Sequence, residues 1–99
     1  MLSRVAAVEF SALGYPIRVN SVHPGAVESR MMDAILARYA DIIGSVTITD
    51  LRKRVESLHP MGRFVQADEV ADAVVFAASS AARYIHGESI HVDGGHASA

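Results

Sequence analysis

The sequence predicts an α/β chain. Two short parallel strands, over about 17–22 and 89–92, are expected in one sheet, with helices over about 1–13, 28–42, 50–58 and 67–79. Three observations predict this. A β-branched run from Ile17 to Val22 leads into Pro24-Gly25. A second short run, Ser89 to Val92, leads into Asp93-Gly94-Gly95. The order helix, strand, helices, strand is one βαβ unit preceded by a helix, and a right-handed crossover places the strands parallel.

The first helix follows from Leu2, Ala6, Phe10 and Leu13, which recur at helical steps while Arg4 and Ser11 lie off that stripe. Gly14 stands where a C′ residue belongs, and Pro16 prevents continuation. No Ser, Thr, Asp or Asn precedes Leu2 to cap the start, so this helix is expected to continue one begun upstream. The Ile/Val-rich strand comes next and ends at Pro24-Gly25. Met31, Met32, Ile35, Leu36, Tyr39 and Ile42 carry the second helix, which Gly44 interrupts. Thr47 or Thr49 can cap the short third helix ahead of Pro60. Val70, Val74 and Ala78 form the main stripe of the last helix, and Asp68 and Glu69 suit its positive N-terminal end. Ser79 to Arg83 breaks that pattern, and Asp93-Gly94-Gly95 reads as the turn after the last strand. Two strands cannot bury both of their faces, so an edge of strand 17–22 and part of the first helix are expected to lie open.

Composition narrows the function classes. Half of the 99 residues are apolar (51%), which predicts a packed chain without a disordered domain, and no internal repeat or linker divides it. A formal charge of −2 gives no electrostatic footprint for nucleic acid. Arg52-Lys53-Arg54 is expected to be a solvated helix face. Without cysteine there are no disulfides, thiolate metal sites or thiol nucleophiles. No apolar run approaches the roughly 20 residues that span a bilayer, and the first residues lack a signal-peptide core. A soluble cytoplasmic protein that engages no membrane is the expectation. Five histidines raise a metal site, but His86, His91 and His96 are spaced five apart, which suits neither one helix face nor one strand face. No carboxylate set completes a site, so no metal is expected.

Candidate site residues cluster where the first strand ends. Pro24 fixes φ and starts a sharp exit from the sheet. Gly25 lets the backbone approach a neighbouring group without a Cβ in the way. A hydroxyl, Ser29, follows four residues later; it can serve as the N-cap of the next helix, bind a ligand, or do both. Ligands of open α/β sheets bind at the carboxyl ends of strands. His23 stands beside this turn and is a candidate ligand contact, whereas Arg18 and Asn20 read as structural.

Four ordered motifs resemble the C-terminal part of short-chain dehydrogenases/reductases. Leu2-Ser3-Arg4-Val5-Ala6-Ala7-Val8-Glu9-Phe10 is similar to that family's helix after the catalytic Tyr-x-x-x-Lys. Ile17 to Gly25 reproduces its Ile-Arg-Val-Asn-x-Val-x-Pro-Gly strand. Met61-Gly62-Arg63-Phe64 followed by Asp68-Glu69-Val70-Ala71 resembles the approach to its last long helix, and His86 to Gly95 resembles its final strand.

The resemblance implies the C-terminal part of a Rossmann-type doubly wound parallel sheet, with 1–99 a single partial domain and 28–58 the substrate loop. It implies an NAD- or NADP-dependent oxidoreductase that moves hydride between an alcohol and a ketone. By resemblance, Pro24, Gly25, Val27 and Ser29 would touch the cofactor. The Val27 main chain would bond the nicotinamide carboxamide, and Ser29, in place of the family's Thr, would bond the carboxamide or a nearby phosphate oxygen. In that loop Met31, Met32 and Ile35 would face a small substrate, with His23 beside them at the strand end; the adaptable Met side chains suit a lipophilic one, and the alternative is that this stripe simply packs the helix on the body. Family members are commonly homo-oligomers, and residues 67–79 and 88–93 belong to the oligomer faces. Tyr15, Tyr39 and Tyr84 are not followed four residues later by Lys, and no Gly-x-x-x-Gly-x-Gly loop is present. The isolated chain is therefore expected to supply one wall of an active site and to be inactive alone. The alternative is a non-catalytic interaction module that docks on a full-length relative.

Overall fold

The computed structural model describes residues 2–98. Helix α1 spans Leu2–Ala12; the expected first residue of that helix, Met1, lies outside the described residues. The helix ends in a Schellman motif. Gly14 adopts φ 73°, the Gly14 N–H donates to Ser11 O at 3.1 Å, and the Tyr15 N–H donates to Phe10 O at 2.9 Å. The Phe10 and Tyr15 rings pack across the turn with centroids 5.9 Å apart.

Strand β1 is Ser21–Pro24 and β2 is Ser89–Val92. They pair in parallel, Ser21 opposite Ser89 and Pro24 opposite Val92. β1 therefore starts later than the expected 17–22 and includes Pro24. The cause is local: Arg18, Val19 and Asn20 are engaged by the 77–88 segment in an irregular way. Arg18 donates to the carbonyls of Ala77 (2.9 Å) and Ile85 (3.2 Å). The Val19 N–H donates to His86 Nδ1 at 3.1 Å, and its carbonyl accepts from the Gly87 N–H at 2.7 Å. Asn20 spans Ile85 O and the Glu88 N–H with its side-chain amide. Side chains supply most of the bonds between these segments until Ser21.

Helix α2 covers Arg30–Ile43, α3 covers Ile48–Ser57 and α4 covers Ala67–Ala78. Ser29 caps α2, its Oγ accepting from the Met32 N–H at 3.1 Å, and Gly44 closes the helix at φ 77°. Of the two possible caps of α3, Thr47 is used, in a reciprocal pair with Asp50. Short 3₁₀ turns follow α4 at Ser80–Ala82 and β2 at His96–Ser98.

α4 packs on both strands, while α2 packs mainly on α3. The pair α2–α3 makes an arm, and the molecule is long: 57 Å in its largest dimension with a radius of gyration of 17.3 Å. A compact domain of this length would measure about 13 Å. The buried apolar side chains are few, namely Ala7, Leu36, Phe64, Val65 and Ala82. Val5, Val8 and Leu13 on α1, and Val74, Val75 and Phe76 on α4, remain exposed. Among the described residues no helix is long and apolar enough to cross a membrane.

Candidate functional site

The site is built where β1 leaves the sheet. After Pro24 the chain turns through Gly25 and Ala26 and meets the 61–66 segment in a single parallel bridge between Val27 and Val65. The Val65 N–H donates to Ala26 O and the Glu28 N–H donates to Val65 O, both at 2.9 Å. In this pattern the flanking residues supply the bonds, so the amide and carbonyl of Val27 face the opposite side. Among the described residues no hydrogen bond uses the Val27 N–H. A half-buried backbone donor and acceptor on one residue match a primary carboxamide, which offers one acceptor oxygen and an NH₂ donor.

Ser29 lies beside this pair in extended backbone, φ −161°. Besides capping α2, its hydroxyl donates to Val27 O at 3.3 Å. One lone pair of Oγ is left for a donor from outside, so cap and ligand contact are compatible.

At Gly25 the approaching group is the His59 ring. A Cβ there would lie 2.8 Å from His59 Nε2 and 3.0 Å from Asp93 Cα. That side of Gly25 is occupied by protein. His59 is the residue sequence reasoning missed. It is 6% exposed, and no periodicity or motif ties it to a turn 33 residues away. Its Nδ1–H donates to Val55 O at 2.9 Å, and its Nε2 accepts from the Ala26 N–H at 3.3 Å.

The expected substrate contacts separate. His23 is exposed on the sheet, its Nε2 2.8 Å from Ser21 Oγ and its ring 5.2 Å from that of His91. Met31 and Ile35 stand exposed along one side of α2, while Met32 is half-buried and Leu36 buried. The single apolar stripe read in the sequence is thus two: one packs and one faces outward.

Arg52 is not a solvated charge, as the Arg52-Lys53-Arg54 run suggests. It grips the Glu28 carboxylate with both terminal guanidinium nitrogens. It also contacts Glu56 at 3.3 Å and Asp33 at 3.7 Å, and lies 4.5 Å over the Phe64 ring. These contacts bind α3 to both sides of the Val27–Val65 bridge. The hydrogen bond from Arg52 holds the Glu28 carboxyl below its ordinary range. Burial pushes the Asp93 carboxyl up, but the Ala97 and Gly95 amides together with the nearby His91 and His96 outweigh it and the net shift is downward. Asp93 thereby fixes the turn after β2. A cleft of about 260 Å³ opens beside this turn, lined in part by Met61, Phe64, His91 and Gly94; none of Pro24, Gly25, Val27 or Ser29 lines it. Among the described residues no cluster of three or more His, Asp or Glu side chains could hold a metal ion.

A family profile described as enoyl-(acyl carrier protein) reductase matches residues 1–97. Cis-4-hydroxycyclohexanecarboxylate dehydrogenase of Sinomonas cyclohexanicum is 36% identical over 95 residues, covering 96% of this chain and 32% of that protein. Among solved structures, a short chain dehydrogenase family protein from Francisella tularensis superposes with TM-score 0.89 at 28% identity, over 99% of this chain and 39% of that one. A putative 2-deoxy-d-gluconate 3-dehydrogenase from Agrobacterium tumefaciens with bound NADP gives 0.76 at 32% identity, over 99% and 35%. The chain spans about a third of the length of the curated relatives it matches. The parallel pair with its helices is a portion of their Rossmann-type sheet, and the chain belongs to the short-chain dehydrogenase/reductase family, whose C-terminal portion it represents.

Proposed function

We propose that this chain forms the nicotinamide-side wall and the substrate arm of an NAD(P)-dependent oxidoreductase acting on a small alcohol or ketone. The observation that carries the reading is the Val27 main chain. Its N–H faces away from Val65 with no partner among the described residues, at the carboxyl end of a parallel strand. Val27 N–H and C=O hold the carboxamide, Ser29 Oγ adds a contact, and Pro24 and Gly25 shape the turn. The cofactor supplies the hydride chemistry when bound; these residues orient its ring. Met31, Met32, Ile35 and His23 are the proposed substrate contacts, and the exposed apolar side of α2 suits a lipophilic alcohol or ketone. The cytoplasm is the proposed location.

The 99 residues contain no Tyr with Lys four positions later and no glycine-rich phosphate loop. Purified chain given NAD or NADP and a panel of alcohols and ketones is expected to show no hydride transfer, while millimolar NAD perturbs the Val27 amide in NMR spectra. Turnover by the chain alone, or an unmoved Val27, contradicts the reading.

A second reading has its own observation. Val5 and Val8, 54% and 71% exposed on α1, together with the open edge of β1 among the described residues, suit docking on a full-length relative as a non-catalytic module. Specific binding to such a relative without any nucleotide effect at Val27 would favour it.

A further inference from the structure

We propose that His59 is a positioning residue of the Gly25–Ser29 wall, tying that wall to the arm helix α3 through a neutral imidazole that carries its proton on Nδ1. The inference rests on the reading of this wall as a nicotinamide contact. The geometry dictates the tautomer. Val55 O is a carbonyl and can only accept, so Nδ1 donates across 2.9 Å. The Ala26 N–H can only donate, so Nε2 accepts across 3.3 Å. The imidazole thus connects the last turn of α3 to the residue preceding Val27. Gly25 allows the ring to sit there, because any Cβ would strike Nε2.

Ala26 is held at both of its polar groups: His59 takes its N–H, and its carbonyl accepts from Val65. The bond to Val65 belongs to the bridge that turns the Val27 amide outward, and the bond to His59 ties the adjoining peptide to the arm. Protonating His59 keeps the bond to Val55 but sets Nε2–H against the Ala26 N–H, two donors facing each other. The tie then breaks, and Ala26 is released from the arm. Imidazole is the side chain that makes such a change near neutral pH.

Other titratable groups lie near His59. From the C-terminal segment, the His96 ring lies 5.3 Å away. Asp93 approaches the same turn, its carboxylate already engaged by the Gly95 and Ala97 amides. From α3, Glu56 in the last turn is held by Arg52 at 3.3 Å. The β1 side offers no titratable side chain in the Gly25–Val27 segment.

NMR of ¹⁵N-labelled chain tests this between roughly pH 8 and 5. The His59 ring nitrogens should show the Nδ1–H tautomer at the alkaline end. The Ala26 amide should shift with the same midpoint as His59 Nε2, and its exchange, corrected for the intrinsic pH dependence, should rise on the order of tenfold once the bond is lost. In His59→Gln, whose amide oxygen can accept but does not titrate, the Ala26 amide should stay put. A merely structural side chain would not produce that contrast. An Nε2–H tautomer in the native protein, an Ala26 amide that ignores the His59 titration, or the same pH response in His59→Gln overturns the proposal; the first two need no variant to fold. NAD is then added at the alkaline end. If Ala26 tracks His59 but Val27 never responds to NAD, the tie stands and the cofactor reading fails.

Discussion

Gly25 marks a close approach between segments that are distant in the chain. A methyl group there has the His59 ring on one side and the Asp93 backbone beside it, and the backbone cannot swing away. Gly25→Ala should destabilise the chain by about 1–3 kcal/mol, as overpacking does. A urea midpoint matching the parent would contradict the packing. Ser29→Ala removes the α2 cap and should cost about 1 kcal/mol, with Ser29→Thr close to the parent. Pro24, Gly25 and Ser29 were readable because turn and cap chemistry is written in consecutive residues. His59 was not, because its role depends on a contact across 33 residues. Val27 came only from the family resemblance: a side chain cannot announce that a backbone amide is left free.

Element boundaries tell a related story. α2, α3 and α4 fall within two residues of the ranges that periodicity, Thr47, Gly44 and Pro60 suggest. β1 is displaced because Arg18 and Asn20 give their side chains to the 77–88 segment, as their structural reading implied, but this occupies the region where the ladder was expected. Arg52 was misread because a basic run in a helix shows its charge and hides its partners. Arg52→Ala should free α3 from the Val27–Val65 bridge, raising amide exchange at Glu28 and Val65. Arg52→Lys should restore this only in part, since a single ammonium cannot reproduce the fork and the stacking. Equal protection in parent and Arg52→Ala would contradict the clamp. At the start of α4, Arg63 grips Glu69, whose carboxylate also accepts from the Gln66 N–H at 2.9 Å. Those bonds lower the Glu69 pKa from 4.5 to about 2. Because the folded value is depressed, its stabilisation is complete above about 4.5 and is lost as pH falls towards about 2. Following the Glu69 carboxyl by NMR should show protonation near the lower value, and Glu69→Gln should blunt the acid sensitivity of the α4 N-terminus. A midpoint near 4.5 would remove this account.

At the scale of the whole molecule, the parallel pairing and the order of elements were legible because a βαβ crossover has few alternatives. The elongated shape was not, since the arm's separation from α4 depends on which apolar faces find partners. Val75 is 68% exposed on α4. Val75→Asp should lower the sedimentation coefficient if the chain assembles through α4, and an unchanged value would exclude that face. The central claim remains the orientation of one backbone amide. Titrating millimolar NAD into ¹⁵N-labelled chain at neutral pH tests it most directly. The largest shifts should fall on Val27 and Ser29, with smaller ones at Gly25. Shifts confined to α1 or α4, or none at all, would contradict the assignment of this turn as the nicotinamide-side wall.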